Sequence, residues 1–286
     1  MAYLFLRGEP LGPAGASTAA PIDAVLFDKD GTLCHSEPML QSLAQARVFQ
    51  CLRLVALPEG NAERPAQLEE LLCKAYGLSD EGIHPAGTTA VAARDHNLIS
   101  TATALAQVGL GWPDALAIAE EAFALTDALH GEGAAHPPQP TAGVLSLLQR
   151  LRGVDVRCAV ISNDHEQGIR AFLARNEVTH HFAALWSAEH RPRKPDPGAV
   201  HGLCRDLGIT PDRCALIGDA NSDLRMARSA GVPVVLGYQA GWKKAPLLDP
   251  EFPQLQHWDE LQVMAVEGGI AARGISSQAI YAEPSE

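Results

Sequence analysis

The sequence predicts an α/β fold, with a core built on a parallel sheet and an inserted α-helical cap domain. From residue 141 onward, short apolar runs alternate with segments of helical spacing, as is typical of parallel strands joined by right-handed crossovers. Between residues 36 and 136, Ala, Leu, Gln and Glu dominate and β-branched runs are lacking, which indicates a helical insert. We therefore predict a core over residues 1–35 and 137–266, a cap over 36–136 and a disordered tail over 267–286.

The first predicted core strand, Ala24–Phe27, ends in two carboxylates. Four apolar residues bounded by polar ones fit a strand that is buried on both faces. Asp28 and Asp30 follow, and in extended backbone their side chains point to the same side, about 6–7 Å apart. Gly31 then permits a sharp turn. Two acids at a rigid strand end can serve as a nucleophile and a proton shuttle, or they can hold a hard cation.

The other elements follow from apolar spacing and from turn residues. Before the first core strand we expect a short edge strand over Ala2–Leu6. In the insert we expect a polar loop around Thr88–Asn97 and helices over Ser42–Leu57, Pro65–Tyr76, Thr101–Val108 and Pro113–Leu129. After the insert we expect strands over Val156–Ile161, Ala184–Trp186, Cys214–Ile217 and Val232–Leu236, and helices over Thr141–Leu151, Glu166–Arg175, Pro197–Leu207, Ser222–Ser229 and His257–Met264.

Further polar groups follow core strands or lie in short loops. Ser162 comes directly after an apolar strand, Lys194 precedes a proline, and Asp219 and Asp223 follow another strand. Because all strands of a parallel sheet run the same way, these groups share one edge with Asp28. The sequence thus predicts one pocket that holds carboxylates, a hydroxyl and an ammonium group.

These motifs resemble those of the haloacid dehalogenase (HAD) superfamily. Asp-x-Asp-Gly-Thr at residues 28–32, Ser162, Lys194 before Pro195, and Gly-Asp-x-x-x-Asp at residues 218–223 occur in that family's order. The insert directly after the first motif resembles the helical cap of the phosphoglycolate phosphatase and β-phosphoglucomutase branch. The resemblance implies a Rossmann-like core sheet.

The resemblance also implies catalytic roles. Asp28 would be the nucleophile that forms an aspartyl-phosphate, and Asp30 would protonate the leaving group and later deprotonate water. Ser162 would donate a hydrogen bond to a phosphoryl oxygen, and Lys194 would neutralise charge on Asp28 and the phosphate.

A Mg²⁺ site is implied by the same motifs. Its ligands would be the side chain of Asp28, the backbone carbonyl of Asp30, and Asp219 with Asp223, the last directly or through water. Such oxygen ligands are what Mg²⁺ prefers.

Substrate binding is expected from Thr32, Asn163 and, in the cap, Arg94. A cap residue has to distinguish substrates, because the core motifs contact only phosphate and metal. Arg94 could pair with a carboxylate or a second phosphate of the substrate. Lys29 occupies a position that is often apolar in the family, and we assign it no role.

Composition limits the partners. The net charge of the 286-residue chain is -12 and its basic residues do not cluster, which argues against nucleic acid and membrane and favours a small phosphorylated metabolite. The six cysteines form no Cys-x-x-Cys pair, so we expect buried thiols in the cytoplasm rather than a zinc or dithiol site. A monomer and a homodimer remain equally open.

The sequence therefore predicts a Mg²⁺-dependent phosphatase that acts on a small organic phosphate monoester. One alternative is a sugar phosphomutase of the same superfamily, which would need a cap residue that steers a sugar hydroxyl. Another is a non-catalytic HAD-like binding protein, against which the complete set of motif carboxylates argues.

Overall fold

The computed structural model describes residues 1–13, 16–55, 63–130 and 136–265, so the predicted tail lies outside the described residues. The strands within these ranges are β1 (Ala2–Leu6), β2 (Glu9–Pro10), β3 (Pro21–Ile22), β4 (Ala24–Phe27), β5 (Cys34–His35), β6 (Leu78–Ser79), β7 (Gly82–Ile83), β8 (Gln139–Pro140), β9 (Arg157–Ile161), β10 (Phe182–Trp186), β11 (Cys214–Gly218), β12 (Val234–Tyr238), β13 (Gln254–Leu255) and β14 (Leu261–Ala265). The helices are α1 (Glu37–Leu54), α2 (Arg64–Tyr76), α3 (Thr88–Val91), α4 (Arg94–Gln107), α5 (Trp112–His130), α6 (Val144–Gly153), α7 (Glu166–Arg175), α8 (Pro197–Leu207) and α9 (Asn221–Ser229).

A six-stranded parallel sheet forms the core, in the order β10-β9-β4-β11-β12-β13. Its central strand β4 is buried on both faces. Val25 and Phe27 pack into one hydrophobic cluster with α6 and α7, and Ala24 and Leu26 pack into another with α8 and α9. The predicted parallel α/β core is thus confirmed, and the fully apolar strand follows from burial on two sides.

Three adjacent strands bring their carboxyl ends to one place. Phe27, the last residue of β4, pairs with Val160 of β9 and with Ile217 of β11. The residues that follow these strands therefore emerge side by side at one edge of the sheet. The backbone N–H of Asp28 extends the ladder by donating to the carbonyl of Ile217 at 2.9 Å.

A second, antiparallel sheet packs on the core, and here two predictions are wrong. β1 is not an edge strand, because it pairs with β14 on one side and with β2 and β3 on the other. The helix predicted over His257–Met264 is a single 3₁₀ turn, 258–260, followed by β14. Pairing with β1 supplies backbone partners along all of β14, and this tertiary contact outweighs a weak helix propensity.

The helices α1, α2, α4 and α5 pack around a hydrophobic cluster of their own. α1 begins at Glu37, earlier than predicted, with Pro38 in the first turn where a missing N–H costs no hydrogen bond. β6 and β7 form a small antiparallel hairpin within the insert, for which the sequence analysis predicted no strands.

The polar loop predicted around Thr88–Asn97 is wrong, since α3 and the start of α4 occupy it. The side-chain amide of Asn97 donates to three carbonyls of this segment and so stabilises the turn between the two helices. None of the described helices combines the length and the apolar character that a membrane-spanning helix needs.

Candidate active site

Asp28 and Lys194 form a buried ion pair at the carboxyl edge of the sheet. Lys194 reaches the site from the loop between β10 and α8, and its Nζ donates to Oδ1 of Asp28 at 2.6 Å. Lys194 also contacts Asp223 at 2.9 Å, so one ammonium group bridges two carboxylates. Burial alone would lower the pKa of Lys194, but the charges of Asp223 and Asp28 raise it above its usual value.

Asp28, Asp219 and Asp223 form a compact carboxylate cluster. Each offers an oxygen, and these oxygens lie within 4.8 Å of one another. All three residues are buried. Burial raises the pKa of Asp28 to about 6, with Asp223 adding to the effect and Lys194 opposing it. Burial and the charges of Asp28 and Asp223 likewise raise the pKa of Asp219 well above its usual value.

This donor set fits a hard divalent cation. In the described part of the chain, Lys194 is the one cation within ion-pair distance of this cluster, and it contacts two of the three carboxylates, those of Asp28 and Asp223. The pKa values of Asp28 and Asp219 are raised because the carboxylates are buried and repel one another. A bound cation would offset this repulsion. Oxygen ligands at this spacing are suited to Mg²⁺. The predicted ligands Asp28, Asp219 and Asp223 are thus brought together, with Asp30 beside them in the same cavity.

Three donors contact the same oxygen of Asp30, and the weakest is Sγ of Cys34 at 3.9 Å. Nζ of Lys29 donates to its Oδ1 at 2.6 Å, and the hydroxyl of Ser36 donates to that oxygen as well. Lys29 also contacts Oδ2 of Asp164 at 3.0 Å, and it is almost fully buried, with 1% exposure. All three donors to Asp30 contact Oδ1, and none of the described residues donates to Oδ2.

Ser162 and Asn163 lie where the motif predicts, after β9. Oγ of Ser162 accepts from the backbone N–H of Asp164 at 3.1 Å, so its own hydrogen is available to a ligand. Nδ2 of Asn163 donates to the carbonyl of Val91 at 3.0 Å, which links the core to α3 of the cap. Oδ1 of Asn163 is buried without a partner among the described residues.

Thr32 lies behind the carboxylate cluster rather than in the cavity. Its hydroxyl donates to Oδ1 of Asp219 at 3.1 Å, so it orients that carboxylate and is not placed to bind substrate directly. Nε1 of Trp242 donates to Oδ2 of the same carboxylate at 2.5 Å. Gly31 has a φ of +79°, and a Cβ there would collide with Trp242 and Asp219. Glycine at this position is therefore needed for both the turn and the close packing.

The cavity encloses about 130 Å³ between the core and the cap. Arg94 lines it, but its guanidinium pairs with Asp127 at 2.6 Å, so the expected substrate contact is already occupied by a carboxylate of the cap. Arg47 of α1 also lines the cavity.

Three residues of the site were missed from the sequence. Lys29 was given no role, although a lysine just after a buried strand indicates a charge that needs an acidic partner in the fold. Arg47 interrupts the apolar face of α1 at helical spacing from Ala44 and Cys51, which was a readable signal. Trp242 lies far from any motif, so only the fold reveals its contact with Asp219.

Residues 22–231 match the model of a family described as haloacid dehalogenase-like hydrolase. A phosphoglycolate phosphatase of Thiobacillus denitrificans is 29% identical over 82% of this chain and 93% of its own length. One of Rhodospirillum rubrum is 30% identical over 78% of this chain and 82% of its own length.

Among solved structures, a protein of Haemophilus somnus described as a "predicted phosphoglycolate phosphatase" has the same fold, with a TM-score of 0.58 at 20% identity. The match covers 82% of this chain and 93% of that chain. The motif order, the parallel sheet with its carboxylates at one edge, and the family match over most of the sequence agree. The chain belongs to the haloacid dehalogenase-like hydrolase family.

Proposed function

We propose that this protein is a Mg²⁺-dependent phosphatase that hydrolyses a small organic phosphate monoester through an aspartyl-phosphate on Asp28. The observation that carries the proposal is the bridge of Lys194 between Asp28 and Asp223, at the point where three carboxylates converge. Family membership and the descriptions of both bacterial relatives support it.

In the first step, a carboxylate oxygen of Asp28 bonds to phosphorus while the P–O bond to the leaving group breaks. The electron pair of that bond stays on the leaving oxygen, which takes a proton from Asp30. Lys29 and Ser36 fix Oδ1 of Asp30, so Oδ2 carries this proton.

In the second step, water attacks the phosphorus of the aspartyl-phosphate. Asp30, now a carboxylate, takes a proton from the water, and the bond between phosphorus and Asp28 breaks. Phosphate leaves, and both carboxyl groups return to their starting protonation states. One residue thus serves as acid and then as base, and the cycle needs no other titratable group.

The main obstacle is electrostatic, because a carboxylate has to approach a phosphate of the same sign. Lys194 places a positive charge 2.6 Å from the attacking carboxylate, and the hydroxyl of Ser162 can donate to a phosphoryl oxygen. A Mg²⁺ ion held by Asp28, Asp219 and Asp223 would supply further neutralisation of the nucleophile and the phosphoryl group. Preorganised charges of this kind are usually the largest contribution to catalysis.

The cavity limits the size of the ester. At about 130 Å³ it is smaller than the roughly 300–1,000 Å³ typical of sites for drug-sized ligands. This favours a small metabolite over a nucleotide or a phosphoprotein.

Phosphate release from a panel of small phosphate esters tests the proposal, with Mg²⁺ and with a chelator. We expect release only with Mg²⁺, and a loss of about 10³-fold or more in Asp28→Asn, because removal of a nucleophile leaves little residual catalysis. Asp206→Asn, at an exposed position of α8, is the matched control. Equal activity of Asp28→Asn and wild type would refute the assigned nucleophile. Conversion of a sugar phosphate to its isomer without phosphate release would favour the phosphomutase instead.

The proposal includes a cytoplasmic location. All six cysteines are free thiols, and most are buried, as suits small apolar side chains in a reducing compartment. Cell fractionation followed by immunodetection tests this.

A further inference from the structure

Lys29 is a buried cation beside the cavity but not part of its wall. It is 1% exposed, and it lies outside the set of described residues that line the cavity. Lys194, the other buried lysine of the site, belongs to that lining and contacts Asp28 directly. Lys29 therefore has no surface with which to bind a substrate, and any effect of this lysine on the reaction has to pass through its neighbours.

Two carboxylates hold the ammonium group of Lys29. Its Nζ lies 2.6 Å from Oδ1 of Asp30 and 3.0 Å from Oδ2 of Asp164. The centroid of the Phe172 ring is 6.0 Å from the same nitrogen. Asp30 and Asp164 both line the cavity, so Lys29 joins the first motif to the loop that follows β9. A buried charge needs partners of this kind, since an unpaired one is strongly destabilising.

Asp164 is itself fixed to the core. Its Oδ1 accepts from the backbone N–H of His165 at 2.7 Å, and its carbonyl accepts from the N–H of Ala188 at 3.0 Å. Its own N–H donates to Oγ of Ser162 at 3.1 Å. The carboxylate that holds Lys29 is thus part of a hydrogen-bonded framework formed by the loops after β9 and β10. Lys29 is anchored to the core through this framework.

Asp30 depends on such an anchor, because the terminal torsion of an aspartate has broad energy minima. Of the three donors to its Oδ1, the thiol of Cys34 is distant at 3.9 Å, and Ser36 directly precedes α1 of the cap. Among the described residues, Lys29 is the one charged donor to this carboxylate. Charged donors form the stronger hydrogen bonds, so Lys29 contributes most to the orientation of Asp30.

We propose that Lys29 is a positioning residue for phosphoryl transfer: anchored by Asp164, it orients Asp30 so that Oδ2 can reach the leaving oxygen. The inference rests on the proposed function, in which Asp30 gives its proton to that oxygen as the P–O bond breaks and the electron pair of the bond stays there. Lys29 itself exchanges no proton and contacts no substrate. Without an aligned acid the oxygen departs as an alkoxide, which is hardest for a weakly acidic alcohol. The cost of losing Lys29 therefore depends on the leaving group.

Three alkyl esters test this dependence. Ethyl phosphate, 2-chloroethyl phosphate and 2,2,2-trifluoroethyl phosphate are similar in size, and the acidity of their alcohols rises in that order. The measured quantity is kcat/KM with Mg²⁺, which reports the formation of the aspartyl-phosphate and not its later hydrolysis. The variant is Lys29→Met, and the control is Lys74→Met, which removes an exposed ion pair with Glu70. Thermal melts ensure that every variant is assayed in its folded state.

We expect Lys29→Met to lose about 100-fold in kcat/KM on ethyl phosphate, because a misplacement of about 1 Å can cost that much. On 2,2,2-trifluoroethyl phosphate we expect a loss of only about 10-fold, since its leaving group needs the acid less. Lys74→Met should resemble wild type on all three esters. An equal loss on the three esters would indicate a merely structural role, and no loss would show that Asp30 needs no such support. Either result would overturn the inference.

Asp164→Asn is a milder second variant that removes the anchor. It keeps an oxygen for the N–H of His165 but takes away the charge that holds Lys29. We expect a smaller loss than in Lys29→Met, again largest on ethyl phosphate. This variant decides the question if Lys29→Met does not fold, and a loss that is equal on all three esters, or absent, would then count against the inference.

A double-mutant cycle tests whether Lys29 acts through Asp30. It uses the best ester of the phosphate-release panel and compares Lys29→Met, Asp30→Asn and the double variant. Once the acid is gone, removal of the lysine should lower kcat/KM by a further factor of only about three or less. If the two single losses multiply while Asp28→Asn is inactive, only the positioning role is wrong. If wild type releases phosphate from no ester, or Asp28→Asn is fully active, the proposed function is wrong.

Discussion

The core side and the cap side of the cavity differ in how their charges are matched. On the core side, Lys194 and Lys29 each bridge two carboxylates, so the acidic and basic side chains hold one another in place. On the cap side, Arg47 and Thr89 carry buried polar atoms without partners in the described structure. Preformed pairing on the core side favours chemistry that is common to many substrates.

We expect the largest effect from removal of Lys194, which pairs with two carboxylates on the core side of the cavity. In Lys194→Met, the buried carboxylates of Asp28 and Asp223 lose their shared cation, and we expect kcat to fall by about 10²–10³-fold. Lys194→Arg should not restore activity, because the planar guanidinium cannot occupy the same point between Asp28 and Asp223. Steady-state kinetics on the best ester measures both, and Lys244→Met in an exposed loop is the control. Near-normal kcat in Lys194→Met would show that the core charges are not preset for catalysis.

Lys29 tests whether pairing on the core side also stabilises the fold. Lys29→Met leaves Asp30 and Asp164 without their shared cation, and we expect a loss of about 2–3 kcal/mol in the free energy of unfolding, as for a hydrogen bond to a charged group. Denaturant titration measures it. Lys74→Met removes an exposed pair with Glu70 and should change little, as is usual for surface ion pairs. Equal stability of both variants and wild type would mean that the buried bridge contributes nothing.

Trp242 lies at the boundary of the two regions. It belongs to the hydrophobic cluster of the cap helices, yet its indole N–H donates to Asp219. Trp242→Phe keeps the ring but removes that donor, and we expect Mg²⁺ affinity to fall about 10–100-fold, as for other groups that orient metal ligands. Calorimetric titration with Mg²⁺ alone measures this. Trp258→Phe, which loses a buried hydrogen bond to Thr141 instead, should bind Mg²⁺ like wild type.

The smallest effect is expected from the hydrogen bond that joins the two regions. Asn163→Ala removes the hydrogen bond to the carbonyl of Val91. A bond of this kind contributes about 1 kcal/mol, so we expect KM to rise roughly fivefold. The control, Asn176→Ala, removes a similar bond to Phe172 within the core. An unchanged KM in Asn163→Ala, or an equal change in the control, would refute a role for this contact in closing the cavity.

The core side of the cavity could be predicted from the sequence because each of its groups lies within a few residues of the strand that positions it. Asp28 follows an apolar strand of four residues, and Asp219 follows another, so each strand and its polar end appear together in a few letters. The parallel arrangement then places all such ends at one edge. The alternation of strands and helices, together with the order of the motifs, was enough to group Asp28, Ser162, Lys194 and Asp219.

The cap side was harder, since its determinants lie on helices that meet only in the folded chain. Arg94 was chosen from a polar stretch, but Asp127, 33 positions later, neutralises it. Arg47 was overlooked because a single arginine in a helix usually reaches solvent. The strand β14 was missed for the same reason, as its partner β1 lies at the other end of the sequence.

Direct detection of phosphorylated Asp28 tests the central claim of a core preset for phosphoryl transfer. The enzyme is mixed with Mg²⁺ and the best ester of the phosphate-release panel, quenched in acid within one turnover, and digested for peptide mass spectrometry. We expect one phosphoryl group on the peptide that contains Asp28 in wild type and none in Asp28→Asn. Rapid phosphate release by wild type with the added group on another peptide would contradict the claim.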